Sequence, residues 1–499
     1  MRHRSGMIIR VLRPTALGGA LGELHPRTQQ RNTVSDSTSG KPSGDLDQVR
    51  QGLRMATPPD PVQLAAEKDL LRELEHAPTL KRWRGYLKFI GPGYMQSAMT
   101  LGSGTAASSL FAGAVFGYDL LWVAPIGMII GILVMGVVSH QTLSTGQRVL
   151  PAMATHANKY LAWGFAMAAV IASIVWHFPQ YNLAAAVLTD ATDTVGIEGV
   201  PRMAASAVVL VWAIVLSLSY GKSSRLVRLY ESFLKFTVWG IVLLLAWVVM
   251  QTETDWGGVL GGFVPSLPEE RGGISSIEVV VAGVAAAVGI NMLLLYPYSL
   301  LARGWGREHR GLARFDLFTG MLIPYALASS LMVIAAANTL HASGAEVTKG
   351  AAVSTLARVL GDVIGPVSGR MLFDLGILAM TLSTITLHMV VCGFVAMEWL
   401  GLPFGSTKQR LFTLLPVPGV FAPMLWSDYA VWLAMPTTII CGAMLPIAYI
   451  GFLILQRSKA YLGDDRPTGW RAVVATGGLV LAMVVIVTSL TFYLINKFG

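Results

Sequence analysis

The sequence predicts an all-α membrane protein built from two inverted repeats of five helices. Of its 499 residues, 54% are hydrophobic and only 13% are charged, which is too apolar for a solvated surface. Many apolar runs approach or exceed the roughly 20 residues that cross a bilayer as a helix, and the alternation expected of barrel strands is missing. Two of these runs, five spans apart, are interrupted near their middle, as in transporters with inverted repeats.

A polar prefix precedes the membrane region. Residues 1–80 are rich in Arg at first and then in Ser, Gly and Pro, and they end in a short charged helix, Val62–Glu75. We predict that this prefix is a disordered cytoplasmic tail; an organelle transit peptide in the first thirty residues is the alternative. Residues 89–457 form the predicted ten-helix core, and 472–495 form an additional helix.

The membrane region divides into eleven predicted spans. They run over residues 89–115, 120–138, 160–188, 203–220, 229–250, 275–302, 316–339, 371–397, 411–426, 430–456 and 472–495. With a cytoplasmic N-terminus, the inner loops carry sixteen Lys and Arg and the outer loops and C-terminus carry six. This asymmetry predicts an N-terminus inside and a C-terminus outside, in a multi-pass protein of the plasma (inner) membrane. It also explains the net charge of +9 without any nucleic-acid partner.

The first and sixth spans carry the predicted binding site. The first is interrupted at Gly102-Ser103-Gly104, before Thr105, and the sixth at Gly289-Ile290-Asn291-Met292. Non-helical backbone at bilayer depth persists only where it is buried in protein or lines a cavity. We therefore expect the two breaks to face each other near the midplane and to bind the transported solute.

Several motifs resemble the Nramp family of proton-coupled divalent-metal transporters. They are Gly-Pro-Gly at 91–93, Gly-Tyr-Asp-Leu-Leu-Trp at 117–122, Thr-Gly at 145–146 and Met-Leu-Pro at 444–446. The resemblance covers residues 89–495, and the first two helices give the strongest signal. It implies the LeuT-type fold, with about eleven transmembrane helices of which the first and sixth are broken.

The chain departs from the family where the family binds metal. Gly102-Ser103-Gly104-Thr105 stands where the family has Asp-Pro-Gly-Asn, so the metal-binding carboxylate is missing. Asn291-Met292-Leu293 stands in place of the family's Met-Pro-His, and Met444 in place of a glutamine. These comparisons make Gly102, Ser103, Gly104, Thr105, Asn291, Met292 and Met444 the candidate substrate-binding residues. Any metal ligands would come from Gly102, Thr105, Asn291 and Met292.

The same resemblance names candidates for a proton pathway. His177 and Gln180 stand where the third family helix has an aspartate and a glutamate, and Tyr298 where the sixth has a histidine. His177 is titratable and deep in a span, which favours a pathway, although a hydrogen bond between helices would also explain it. His388 shares a polar helical face with Thr381 and Thr384, which either lines the cavity or bonds to a neighbouring helix.

A neutral site changes the expected cargo. Divalent ions prefer carboxylate ligands, whereas carbonyls, hydroxyls, an amide and a thioether suit a partly hydrated cation, a monovalent ion or a small polar solute. We therefore predict a secondary-active transporter of a metal cation, coupled to protons if His177 replaces the missing acids. A carrier of a monovalent cation or a small organic solute, and a Nramp-like membrane sensor that transports nothing, are the alternatives.

Enzymatic signatures are missing from the sequence. It contains no His-Glu-x-x-His and no Gly-x-Ser-x-Gly, and Gly221-Lys222-Ser223 lacks the first glycine of a phosphate-binding loop. Its two cysteines, Cys392 and Cys441, lie inside apolar spans and indicate neither a disulfide framework nor a thiolate metal site. We predict no enzymatic activity and no cofactor.

Overall fold

The computed structural model describes Leu53 and residues 59–220, 224–344 and 347–498. Within these residues the fold is helical, with a single isolated β-bridge between Arg271 and Ile274 and no strand. Most of the predicted polar tail, 1–52 and 54–58, lies outside the described residues. The remainder of that tail, from Pro59, is largely helical.

The α-helices are numbered in chain order. They are α1 (Pro61–Glu75), α2 (Thr79–Tyr86), α3 (Pro92–Thr100), α4 (Ser103–Phe116), α5 (Val123–Thr145), α6 (Val149–His156), α7 (Lys159–Thr194), α8 (Arg202–Ser219), α9 (Ser224–Met250), α10 (Trp256–Gly261), α11 (Ser276–Ala287), α12 (Ile290–Ala302), α13 (Arg310–Leu317), α14 (Ile323–Ala336), α15 (Val353–Ile364), α16 (Ser368–Leu400), α17 (Thr407–Leu411), α18 (Ala422–Leu425), α19 (Ala434–Gly442), α20 (Leu445–Arg457), α21 (Lys459–Leu462) and α22 (Gly469–Phe498). The seventh span also contains two π-helical turns, Phe318–Leu322 and Ala337–His341, on either side of α14.

Nine helical segments of the described chain are long and apolar enough to cross a membrane, and the shorter α4 is apolar as well. The predicted ninth span is the exception, because residues 411–426 form a series of short helical turns instead of one helix. Pro416, Pro418 and Pro423 interrupt the segment, since proline lacks the N–H that a continuous helix requires. The tenth span is also interrupted, between α19 and α20.

The sixth span lies at the centre of the bundle. Over the segment formed by α11 and α12, 83% of the residues in the most apolar window are buried, compared with 22% for the last helix, α22. The two longest helices, α7 and α16, pack along each other beside it, and Trp176 of α7 stacks on His388 of α16. A break in the sixth span is therefore surrounded by protein and not by lipid.

The N-terminal end of α3 is fixed by charged groups from three other spans. Asp316 of α13 accepts hydrogen bonds from the backbone N–H groups of Gly91 (2.9 Å) and Gly93 (2.5 Å). Arg303, which follows α12, pairs with Glu231 of α9 at 2.7 Å and donates to the carbonyl of Phe89. The carboxylate of Asp316 satisfies N–H groups that the first helical turn leaves free.

The helices α1 and α2 pack against the segment between the sixth and seventh spans. Arg72 of α1 pairs with Glu308 at 3.0 Å, and the rings of Trp83 and Tyr86 in α2 contact Phe315 of α13. Leu74 of α1 is buried against Gly85. This part of the predicted tail is therefore docked on the bundle.

Candidate functional site

The first span is broken at Leu101 and Gly102. The prediction placed the break at Gly102-Ser103-Gly104, but Ser103, Gly104 and Thr105 form the first turn of α4. The Thr105 hydroxyl reaches back across the break and donates to the Thr100 carbonyl at 2.7 Å. The break therefore begins one residue earlier, and ends two residues earlier, than the sequence predicts.

The sixth span is broken at Val288 and Gly289, both of which are extended. Asn291 and Met292 were predicted within the interruption, but they belong to the first turn of α12. The side-chain oxygen of Asn291 accepts a hydrogen bond from the Met292 N–H at 3.1 Å, while its amide nitrogen is buried without a partner among the described residues.

A direct contact joins the two breaks. The Met292 sulfur lies 3.3 Å from the Thr100 hydroxyl and 3.4 Å from the Gly289 nitrogen. The Thr100 hydroxyl also lies 3.4 Å from the carbonyl oxygen of Ala287, the last residue of α11. The predicted meeting of the two interrupted helices is therefore present in the structure.

One cavity lies between the breaks, α7 and α16. Its lining residues are Met99, Thr100, Gly102, Gly104, Thr105, Trp176, Gln180, Ala285, Ala286, Gly289, Asn291, Met292, Thr384 and His388. About 30 Å³ of this cavity is open to the centre of a water-sized sphere. Since one water needs about 10–15 Å³ on this measure, the cavity has room for roughly two waters, or for one ion with a single water.

Gln180 of α7 occupies the space beside Gly102. Its side-chain oxygen accepts a hydrogen bond from the Ser103 N–H at 3.1 Å, which satisfies a free donor at the start of α4. A Cβ atom added at Gly102 would lie 2.7 Å from the Gln180 side-chain nitrogen and 2.6 Å from the Thr384 hydroxyl. The missing carboxylate has therefore left no empty space, because neutral side chains from α7 and α16 fill it.

Four of the predicted residues lie outside this lining. The Ser103 hydroxyl is buried without a partner among the described residues, although its backbone N–H binds Gln180. Met444 lies in the gap between α19 and α20. Tyr298 donates to Glu398 at 2.6 Å, and Glu398 pairs with Arg148 at 2.7 Å.

His177, the fourth, lies behind the cavity wall. Its ring is fully buried and lies 5.7 Å from the ring of His388, which does line the cavity. One of its nitrogens lies 2.7 Å from the Ser173 carbonyl oxygen, and the other has no partner among the described residues. Gly419 packs directly against its backbone. Among the described residues, the ring of His177 therefore reaches the cavity wall through His388.

The structure adds cavity residues that the prediction left open or missed. Thr384 and His388 of α16 both line the cavity. Thr384 also contacts carbonyl oxygens of α3, so this residue both lines the cavity and bonds to a neighbouring helix. Within the described part of the chain, Thr381 bonds only to carbonyls of its own helix. Thr100 and Trp176 had no signal in the sequence, because a threonine and a tryptophan in an apolar span are common in any membrane helix.

The cavity presents neutral ligands. No Asp or Glu is among its lining residues, and the part of the chain that the structure describes holds no group of three or more His, Cys, Asp or Glu that could bind a metal. Its polar and polarizable groups are hydroxyls, amides, two thioethers, an indole, an imidazole and the backbone at the two breaks. This set can replace part of a cation's water shell but supplies no compensating charge.

Comparison with known proteins identifies related sequences. A family model described as "Natural resistance-associated macrophage protein-like" matches residues 93–495. The chain is 24% identical over 442 residues to the divalent metal cation transporter MntH of Brucella suis, covering 85% of this chain and 92% of that protein. It is 23% identical over 398 residues to the metal transporter Nramp6.2 of Populus trichocarpa, covering 77% of this chain and 70% of that protein.

Solved structures with the same architecture confirm the predicted fold class. A manganese transporter from Eremococcus coleocola, in complex with an aromatic bis-isothiourea substituted compound, superposes with a TM-score of 0.70 at 16% identity, over 90% of this chain and 92% of that chain. Mhp1, a nucleobase-cation-symport-1 family transporter, superposes with a TM-score of 0.55 at 14% identity, over 82% of this chain and 93% of that chain. The LeuT-type bundle with broken first and sixth spans is therefore the fold of this chain.

Proposed function

This chain belongs to the natural resistance-associated macrophage protein (Nramp) family, and on that basis we propose that it is a secondary-active transporter of a metal cation. Two of its relatives are named as metal transporters: MntH of Brucella suis as a divalent metal cation transporter, and Nramp6.2 of Populus trichocarpa as a metal transporter. The observation that carries the proposal is that both interrupted helices meet in one cavity without a carboxylate. In this fold, a site at paired helix breaks is opened alternately to the two sides of the membrane.

The neutral cavity determines which cation it accepts. A divalent ion stripped of water would be buried without an opposing charge, which is strongly unfavourable. A cation that keeps part of its hydration shell, or one of lower charge, avoids most of that cost. The space of about 30 Å³ fits an ion with one water and is too small, in this conformation, for an amino acid or a similar organic solute.

Uptake into proteoliposomes tests the function. The purified full chain is reconstituted, and uptake of Mn²⁺, Mg²⁺, Na⁺ and methylamine is compared under the same gradient. We expect saturable uptake of at least one metal cation. Uptake of methylamine alone would favour the organic-solute alternative, and no uptake of any compound would favour the sensor.

Variants show whether the cavity is the site. Asn291→Ala removes an amide of the cavity lining whose nitrogen has no hydrogen-bond partner among the described residues, so we expect uptake by this variant to fall at least tenfold, or by about 1.4 kcal/mol. Ser329→Ala is the control, because the hydrogen bonds of that hydroxyl to described residues all lie within α14. Equal uptake by wild type and Asn291→Ala would place the site elsewhere.

A further inference from the structure

Five oxygen atoms converge between the end of α3 and the middle of α16. The Ser383 hydroxyl lies 3.0 Å from the Ala98 carbonyl oxygen and 3.0 Å from that of Met380. The Thr384 hydroxyl lies 3.3 Å from the carbonyl oxygens of both Ala98 and Met99, and 2.8 Å from that of Met380. All five atoms belong to buried residues, and none carries a formal charge.

The break in the first span is the reason that two of these carbonyls are free. In a continuous helix the carbonyls of Ala98 and Met99 would accept from the N–H groups of residues 102 and 103. Here the Gly102 N–H donates to Thr100, and the Ser103 N–H donates to Gln180. The two carbonyls therefore point out of α3 towards α16, at the helix end where the backbone dipole is negative.

We propose that these five oxygens, from Ala98, Met99, Met380, Ser383 and Thr384, form a binding site for Na⁺. Ions of the size of Na⁺ or Ca²⁺ bind oxygen at about 2.3–2.6 Å, so neighbouring ligands at right angles lie about 3.3–3.7 Å apart. The observed spacings of 2.8–3.3 Å need to widen by only a few tenths of an ångström. The hydroxyl hydrogens turn aside, which frees oxygen lone pairs for the ion.

The ligand chemistry selects a monovalent ion. Carbonyls and hydroxyls supply partial negative charge, and the free end of a half-helix is a recognised ligand for Na⁺ in transporters with discontinuous helices. A divalent ion would additionally need a carboxylate to offset its dehydration, and neither the five ligands nor the lining of the adjacent cavity includes one. The site is therefore suited to Na⁺ and not to Mn²⁺.

The position of the site gives the ion a role in transport, which rests on the function proposed above. Thr384 belongs both to the five ligands and to the wall of the cargo cavity, whereas Asn291 and Met292 belong only to the cavity. A bound ion would join α3 to α16 and fix the backbone at Gly102. Loading of the ion and loading of the cargo are thereby coupled through one short segment.

Thermal unfolding of the purified full chain tests ion binding without any assay of transport. The midpoint is measured against NaCl concentration, with choline chloride holding the ionic strength constant. A ligand that binds only the folded state raises the midpoint with concentration. We expect a rise of several degrees in the wild type, a smaller rise with KCl, and none with NaCl in Ser383→Ala or Thr384→Val.

Two further variants separate ion binding from packing. Thr381→Val removes a hydroxyl on the same helix that bonds only to Ile377 and Leu378, so its response to NaCl should match that of the wild type. Thr384→Ser keeps the hydroxyl and should retain the response. The proposal is overturned if NaCl shifts the wild type and Ser383→Ala equally, if it shifts neither, or if KCl is as effective as NaCl.

Uptake measurements then test coupling separately. Cargo uptake by the wild type should rise at least tenfold with an inward Na⁺ gradient, and this rise should be lost in Ser383→Ala. Uptake that ignores the gradient would overturn the coupling and leave the transport function standing. If the midpoint of thermal unfolding depended on Na⁺ but the protein took up no cargo, the ion site would be supported and the transport function would be contradicted.

Discussion

At the scale of single residues, Gln180 and Gly102 determine the charge of the cavity together. The glycine removes a carboxylate, and the glutamine fills the space and binds the free N–H at the start of α4. An acid at position 102 would collide with Gln180 and Thr384 before it could reach a cation. The neutral site is therefore the product of at least two positions, and one substitution cannot reverse it.

This arrangement predicts how divalent binding can be restored. Gly102→Asp alone should lower the free energy of unfolding by about 1–3 kcal/mol, because the new side chain overpacks the site. Gly102→Asp combined with Gln180→Ala should recover part of that stability, since the close contact with the Gln180 side chain is removed and only the contact with Thr384 remains. The double variant should bind Mn²⁺ at least tenfold more tightly than the wild type, as measured by calorimetry.

Gln180→Ala alone is the control for that experiment, because it makes room without adding charge. Its Mn²⁺ affinity should equal that of the wild type. If the double variant bound Mn²⁺ no more tightly than the wild type, the side chain of residue 102 would not contribute to cation binding.

His177 remains a predicted proton carrier at the same scale. Around its ring lie His388 of α16 and Tyr181 and Ser173 of its own helix, while Gly419 packs against its backbone, so His388 is its link to the cavity. If protons are coupled, His177→Gln should remove the dependence of uptake on pH between about pH 5 and 8, where histidine titrates. Proton movement that persists in this variant, followed with an internal pH dye, would exclude the residue.

The sequence could predict that the two breaks exist, because glycines interrupt otherwise continuous apolar runs at 102–104 and at 289. It could not place them to the residue, since the Thr105 hydroxyl and the Gln180 amide allow α4 to begin at Ser103. Nor could it show that His177 lies behind the cavity wall. That position depends on Gly419, which is distant in sequence and belongs to a segment misinterpreted as a continuous span.

At the scale of helices, the start of α3 depends on close packing against α13. A Cβ atom at Gly93 would lie 2.3 Å from the backbone oxygen of Asp316, whereas one at Gly136 of α5 would meet nothing within 4 Å. Gly93→Ala should therefore lower the unfolding free energy by about 1–3 kcal/mol or more, because backbone atoms would have to move.

Gly136→Ala is the matched control, and it should be neutral or stabilising by up to about 1 kcal/mol, because alanine favours a helix interior. Thermal unfolding of both variants in the same detergent gives the comparison. Equal midpoints for the two variants would mean that α3 does not pack on α13 as described.

At the scale of the whole molecule, the charges of the loops predict an orientation that labelling can test. Glu198, between α7 and α8, and Arg307, after α12, are both well exposed and should lie on opposite sides of the membrane. We expect a membrane-impermeant thiol reagent added to intact cells to label Glu198→Cys and not Arg307→Cys. The two native cysteines are buried and serve as the background. Labelling of Arg307→Cys alone would invert the topology.

The absence of carboxylates from the cavity lining has an electrical consequence. Under the proposed function, a site that carries an acid would move a negative charge through the field whenever the transporter returned empty, whereas the lining of this cavity adds no acidic charge. Voltage would then act on the loaded half of the cycle. Each elementary charge is worth about 2.3 kcal/mol per 100 mV, so an interior-negative potential would speed the inward passage of the cation without slowing the return.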